Sequence, residues 1–216
     1  WLKYRWEPGR HYFAEVNYAT ASRNGEPFEQ VIRARGMLPN PVSRFCTVEL
    51  KIRTSNRYVR QTLGWERYFN AVGLRADEPR RVAKMVGGQS RIEMTLFGDQ
   101  KVGVKRTNPS PGETPVCPLS EAGVTEADVL AFWTAQPFDL QLARHEGNCD
   151  LCFLKAIPKQ LELMRQRPGD ADWWVEQERQ AARGRTRKPT VELFRMDRPT
   201  YAELLDEVST FAGVLT

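Results

Sequence analysis

Residues 68–81 read YFNAVGLRADEPRR, and the change of character inside this stretch sets the fold class. Residues 68–76 are apolar and bounded by Gly73, which reads as a strand that ends in a loop. The loop GLRADEPRR, residues 73–81, mixes Arg75, Arg80 and Arg81 with Asp77 and Glu78. A glycine there allows close backbone approach, and an arginine grips phosphate or sulfate with two donors. The same residues also suit an exposed, salt-bridged turn, and both readings stay open.

Working outward, residues 1–6 and FAEVNY (13–18) read as extended segments, and TASRNGEP as a polar loop. PFEQVIRARGML has helical spacing through Phe28, Val31, Ile32 and Arg35, with Gly36 as its stop signal. Residues 48–62 read as a helix broken by Gly64. On the far side, residues 86–115 are rich in Gly, Pro and Ser, and a hairpin insertion is expected there, with RIEMTLFG and QKVGVKR as its strands. Beyond it the pattern turns helical. Thr125 is the expected N-cap of a helix, with Asp128 three residues on and Val129, Leu130, Phe132 and Trp133 as its apolar face. Three more amphipathic helices are expected: one with Pro158 near its first turn, one over DADWWVEQERQAARGR, and one over TYAELLDEVSTFAGVL capped by Thr200. Trp133, Trp173 and Trp174 are expected to pack together. The expected division is a mixed α/β part over 1–124 and a helical part over 125–216.

The chain has 216 residues, 41% of them hydrophobic, enough for a sizeable core. No run approaches the roughly 18–20 apolar residues of a membrane span. Four cysteines are too few for a disulfide scaffold, so a reducing, cytoplasmic location without membrane contact is expected. A net charge of +5 favours phosphate-bearing partners. Basic residues gather at Arg33–Arg35, Arg75–Lys84 and Arg179–Lys188, which also suits solvated faces. The opening WLKYRWEPGR reads as a strand already inside a domain, and a preceding segment is expected.

The cysteines carry the sharpest chemistry. Cys149 and Cys152 form a Cys-x-x-Cys pair in GNCDLCFLK, expected at the start of a helix. Two such thiolates can bind one metal, and a helix dipole can also lower a thiol pKa for redox exchange. Cys46, in RFCT, and Cys117, in PVCPL, each fall at the end of an expected element. Four thiolates suit an Fe–S cluster; zinc, a dithiol redox pair and buried thiols without chemistry are the alternatives. His145 is a further ligand candidate, more in keeping with a supporting role, and His11 reads as structural. Arg44 and Lys51 flank Cys46 at a loop-to-helix junction, where cations and free N–H groups make an anion site.

RFCTVELK, GLRADEPRR, the spaced pattern through QPFDL, and GNCDLCFLK, taken in order, resemble the phosphoadenosine phosphosulfate (PAPS) reductase-like family, its phage and bacterial branch, over residues 1 to about 178. The resemblance implies a Rossmann-like α/β domain of the adenine nucleotide α-hydrolase type, partial here in its N-terminal strand and loop, with a helical C-terminal region. It implies an oxidoreductase or sulfurtransferase that handles ATP, PAPS or a related sulfonucleotide. Arg44 and Lys51 would then lie near nucleotide or sulfate, and Arg75, Glu78 and Arg81 would form the family's anion-binding stretch. Sulfur-handling relatives that act on DNA or tRNA carry a 4Fe–4S cluster, for which Cys46, Cys117, Cys149 and Cys152 would be the ligands, zinc being the alternative metal. The family's Ser-Gly-Gly-x-Asp-Ser phosphate loop and its C-terminal Glu-Cys-Gly motif are absent from these residues. A nucleic-acid-binding or nucleic-acid-sulfuration accessory protein on a degenerate nucleotide-hydrolase fold, with structural metal, is the second expectation.

Overall fold

The 68–81 stretch does begin as a strand. In the computed structural model, which describes residues 1–86, 111–139, 141, 149–185 and 192–213, β3 (Tyr68–Ala71) pairs in parallel with β4 (Glu113–Val116). Two longer strands, β1 (Leu2–Glu7) and β2 (Arg10–Glu15), form an antiparallel hairpin. The chain is thus mixed helix and strand. It divides into two units, residues 1–62 with 142–216, and residues 63–141. Among the described residues no helix is long and apolar enough to cross a membrane.

In the second unit β3 runs into the loop at Gly73 and then into α4 (Pro79–Val86), a helix with proline at its first position. Parallel strands need a crossover, and α4 lies in the connection between β3 and β4. The ladder continues one step past β3, where the Val72 N–H donates to Val116 O at 2.8 Å. Gly112, which leads into β4, sits at φ +81°, and a Cβ there would fall 2.0 Å from Glu66 O, so glycine is required twice over. Of the hairpin expected near 86–115, residues 87–110 lie outside the described residues. Residues 113–116 instead join the parallel sheet.

After β4 come α5 (Pro118–Glu121) and α6 (Glu126–Thr134). Thr125 caps α6 in a full capping box with Asp128, as the sequence predicts. The Asp77 carboxylate accepts from the Glu126 N–H at 3.1 Å, and the Ala76 N–H donates to Val124 O at 2.8 Å. These bonds tie α6 to the loop after β3, so the 124/125 boundary lies inside this unit. The apolar face expected to be core is exposed at Leu130, Phe132 and Trp133, and Trp133 packs edge-on against Phe132 and Phe138, while Trp173 and Trp174 belong to the other unit.

In the first unit the hairpin packs on α1 (Glu26–Arg35) through Tyr4, Val31 and Phe45. Gly36 ends α1 in the left-handed conformation at φ 63°, its N–H bonded to Ile32 O and Arg33 O. A continuous helical rod follows: α2 (Phe45–Thr47), a π-helical segment (Val48–Arg53) and α3 (Thr54–Gln61). Later come α7 (Ile157–Gln166), a 3₁₀ turn (Pro168–Ala171), α8 (Asp172–Gln180) and α9 (Tyr201–Gly213). Their core holds Leu151, Phe153, Met164, Trp174, Phe194, Tyr201 and Leu204. Trp174 stacks on Tyr201 at 5.0 Å between ring centroids, while Trp173 packs on Phe28 at 5.1 Å. The α9 N-terminus is closed by Thr200 and Glu203, which exchange hydrogen bonds across the first turn. Beneath it the buried carboxylate of Glu178 accepts from the N–H groups of Phe194 and Tyr201, and burial raises its pKa.

Candidate functional site

The helical rod carries Cys46 on α2 and Lys51 in the π segment. In a regular α-helix two positions five apart point about 140° away from each other. A π turn, with its i→i+5 hydrogen bonds, brings such positions back toward one face. The π segment is held by Thr54, whose hydroxyl donates to Glu49 O at 2.7 Å. It is also held by Glu49 itself, whose fully buried carboxylate pairs with Arg35 of α1, with Arg53 at 2.6 Å, and with Arg57 at 3.8 Å. Sequence reading passed over Glu49. Its signal is the acidic residue set among arginines 35, 53 and 57, which i,i+4 spacing alone reads as a surface pair.

Cys149 and Cys152 sit on a tight turn, with the Cys152 N–H donating to Cys149 O at 3.1 Å and the Lys155 N–H to Cys152 O at 2.8 Å. They do not stand at a helix start, because α7 begins only at Ile157, and the expected help from a helix dipole is absent. Pro158 and the extended Ala156 set that later start. Cys46 packs against the core cluster that holds Leu151 and Phe153, the two chain neighbours of Cys152, which sets the Cys-x-x-Cys turn beside the rod, and Lys51 and Lys155 act on the charge of Cys149. Three of the four cysteines, from two segments about a hundred positions apart, therefore share one neighbourhood. All four are free thiols.

Burial raises the pKa of Cys46, and the neighbouring thiols raise it further, against hydrogen bonds from Thr47 that lower it. Cys149 keeps an exposed surface, yet desolvation by the atoms crowded around its sulfur raises its pKa, Cys152 adds to the rise, and Lys51 opposes it. Without a bound cation these groups are thiols at neutral pH. Reduced, metal-free protein should accordingly show alkylation of Cys46 and Cys149 by iodoacetamide with a pH midpoint above that of a free cysteine. Zinc should protect both. A midpoint at or below the free value contradicts the crowding described.

Among the described residues no three His, Cys, Asp or Glu side chains stand in a ready coordination geometry. Thiolate is the donor type a thiophilic metal takes, but as placed Cys46, Cys149 and Cys152 do not form such a group. Cys117 belongs to the second unit. It is buried directly after β4 and N-caps α5. His145 lies outside the described residues, and His11 pairs with Tyr4 Oη at 2.8 Å in the hairpin, a structural role.

The anion-binding candidates separate in the same way. Lys51 is exposed beside Cys149, and Arg44 is exposed at the N-cap of α2. In the second unit Arg75 donates to Asp77 at 3.1 Å and lies 3.5 Å from Glu78, while Arg81 also pairs with Glu78. Glu78 accepts from the Arg75 N–H as well, which holds its carboxyl below the usual range. Each of these guanidiniums already meets a carboxylate, so the loop is a salt-bridged turn. A Cβ at Gly73 would meet no protein atom within 4 Å, so this glycine borders open space. The loop and Cys117 nonetheless follow the same, carboxyl ends of the two parallel strands, the end at which α/β sheets carry ligand loops.

No protein-family model matches the chain, and no solved structure matches it. Among curated proteins it is similar to the uncharacterized nin region protein ORF290 of Escherichia phage lambda, at 31% identity over 134 residues. The match covers 62% of this chain and 37% of that relative's length.

Proposed function

We propose that this chain is part of a PAPS reductase-like enzyme that handles sulfur or sulfonucleotides, with Cys46, Cys149 and Cys152 holding a metal centre, an iron–sulfur cluster before zinc. The observation that carries the reading is the shared neighbourhood of these three thiols beside Lys51. A bound 4Fe–4S cluster supplies electron transfer or a thiophilic iron site. The chain's own residues do the rest. The thiolates hold the metal, and Lys51 and Lys155 offset their negative charge. Lys51 and Arg44 also face solvent as cations able to receive the phosphate or sulfate of an adenine nucleotide.

The β3–α4–β4 order with parallel pairing supports a Rossmann-like sheet of the adenine nucleotide α-hydrolase type as the scaffold. In that scaffold Arg75, Glu78 and Arg81 belong to the ligand-side loop, where a bound anion competes with Glu78 for the two guanidiniums. Titration with ATP and PAPS tests the reading. Saturable binding is expected, weakened about tenfold by Lys51→Ala, the loss of one charge-assisted contact. Lack of binding by either nucleotide contradicts the assignment of a nucleotide substrate.

A second reading, docking of DNA or tRNA, draws on Arg179 at the end of α8 and Arg183 just beyond it, both exposed. Residues 186–188 of that basic stretch lie outside the described residues. Binding that falls steeply with salt and ignores nucleotide would favour this reading.

A further inference from the structure

The turn that bears Cys149 and Cys152 turns its carbonyls toward side-chain donors from later in the chain. Tyr201 Oη donates to Leu151 O at 2.5 Å, and Gln160 Nε2 to Cys152 O at 3.1 Å. Arg198 Nη1 donates to Lys155 O at 2.8 Å and reaches Phe153 O at 3.4 Å, the same distance as Arg195 Nη1. The donors are themselves fixed. Arg195 is gripped by Asp197 at 2.6 and 2.5 Å. Gln160 is buried and also donates to Tyr201 Oη at 3.2 Å. Tyr201 is buried, stacks on Trp174, and has its backbone N–H bonded to Glu178 at 2.9 Å.

Among these contacts the one from Tyr201 is singular in position. Leu151 lies between the two cysteines, and its side chain is buried at 1% exposure. With the side chain anchored below and the carbonyl held by Tyr201, the planar Leu151–Cys152 peptide has one orientation. That orientation limits the backbone at Cys152 and, with the Cys152 N–H to Cys149 O bond, narrows the backbone positions from which the two thiols project. Unlike the turn's own hydrogen bonds, this constraint comes from α9.

We propose that Tyr201 is a positioning residue for the thiol site. Its hydroxyl holds the peptide between Cys149 and Cys152 and so narrows the backbone conformations from which the two thiols reach a metal. The proposal rests on reading the cysteines as a metal site. Outer groups that orient metal ligands typically change affinity by about 10- to 100-fold when removed.

The test compares the whole chain with Tyr201→Phe and Trp174→Phe, reduced and metal-free under argon, and titrated with Co²⁺ alone. Tyr201→Phe keeps the ring and its stack but loses the hydroxyl. It should weaken Co²⁺ binding about tenfold and shift the thiolate-to-cobalt absorption band, with only a small change in urea midpoint. Trp174→Phe should lower the midpoint and bind Co²⁺ as the wild type does. Equal Co²⁺ affinity in Tyr201→Phe and wild type overturns the proposal, as does a loss that tracks stability in both variants. If the wild type gives no thiolate–cobalt band, the metal reading fails. The positioning role is then decided by amide hydrogen exchange over residues 150–155 and by alkylation of Cys149 and Cys152. Both should speed up in Tyr201→Phe, and unchanged rates overturn it.

Discussion

Replacing Glu49 by glutamine should cost about 3 kcal/mol of stability. Glu49 is fully buried and is the shared partner of Arg35, Arg53 and Arg57. Removing one member of a buried ion network leaves the others uncompensated, which is where such losses of about 3–5 kcal/mol arise. The lower end applies because Arg35 and Arg53 keep 38% and 53% of their side-chain surface in water. A urea midpoint lowered by roughly 1 M or more, with unchanged slope, is the expected result. Arg53→Ala, which removes the most exposed partner, should cost under about 1 kcal/mol. Equal effects from the two changes would show that Glu49 is no more than another surface partner. The consequence reaches the site, since Glu49 lies within the π segment between Cys46 and Lys51.

Single replacement of Cys46, Cys149 or Cys152 by serine should remove most of the bound iron. A serine hydroxyl is a hard and weakly acidic donor where a thiophilic metal takes thiolate, and losing one of the three proposed ligands leaves the metal open to solvent. Each variant should fall to about a tenth or less of the wild-type iron content. Urea midpoints should stay close to that of wild-type apoprotein for Cys149→Ser, because Cys149 is exposed. The sequence expectation of a fourth thiolate is open to the same measurement. Iron loss in Cys117→Ser supports four thiolates, and full retention limits the set to three. Retained iron in all of the Cys46, Cys149 and Cys152 variants contradicts the metal centre proposed for this chain.

Local signals in the sequence carried most of the elements. The Thr125–Asp128 box, the Gly36 stop and Pro158 near the start of α7 are each decided by groups within four or five residues, and each is where the pattern places it. The strand at Tyr68–Ala71 was legible for the same reason. What depends on distant packing was not. The π segment follows from the burial of Glu49 against arginines on two helices, and no local propensity encodes it. Helix α4 was missed because PRRVAKMV is charged and short, and Pro79 reads as a turn until it is seen at a first helical position. Helix α6 shows the opposite failure: Leu130, Phe132 and Trp133 have the spacing of a core face and are exposed.

The site was partly legible. A Cys-x-x-Cys pair announces shared thiol chemistry by spacing alone, but that Cys46 is its neighbour comes from a unit assembled out of residues 1–62 and 142–216. The helix dipole expected at Cys149 fails because the turn continues to Ala156 before α7 starts. Of the stretch read as a strand-end loop, Gly73–Glu78 is loop, while Pro79–Arg81 open α4. Which of its two readings the geometry takes depends on Asp77 and Glu78, whose pairing with Arg75 and Arg81 spacing cannot decide.

The shared neighbourhood of three thiols beside Lys51 is best tested by iron and acid-labile sulfide analysis of protein purified without oxygen. A brown protein with iron and sulfide in equal amounts, approaching about four of each per chain, is the predicted result. A colourless preparation with background iron and no zinc, its thiols fully open to alkylation, would contradict it.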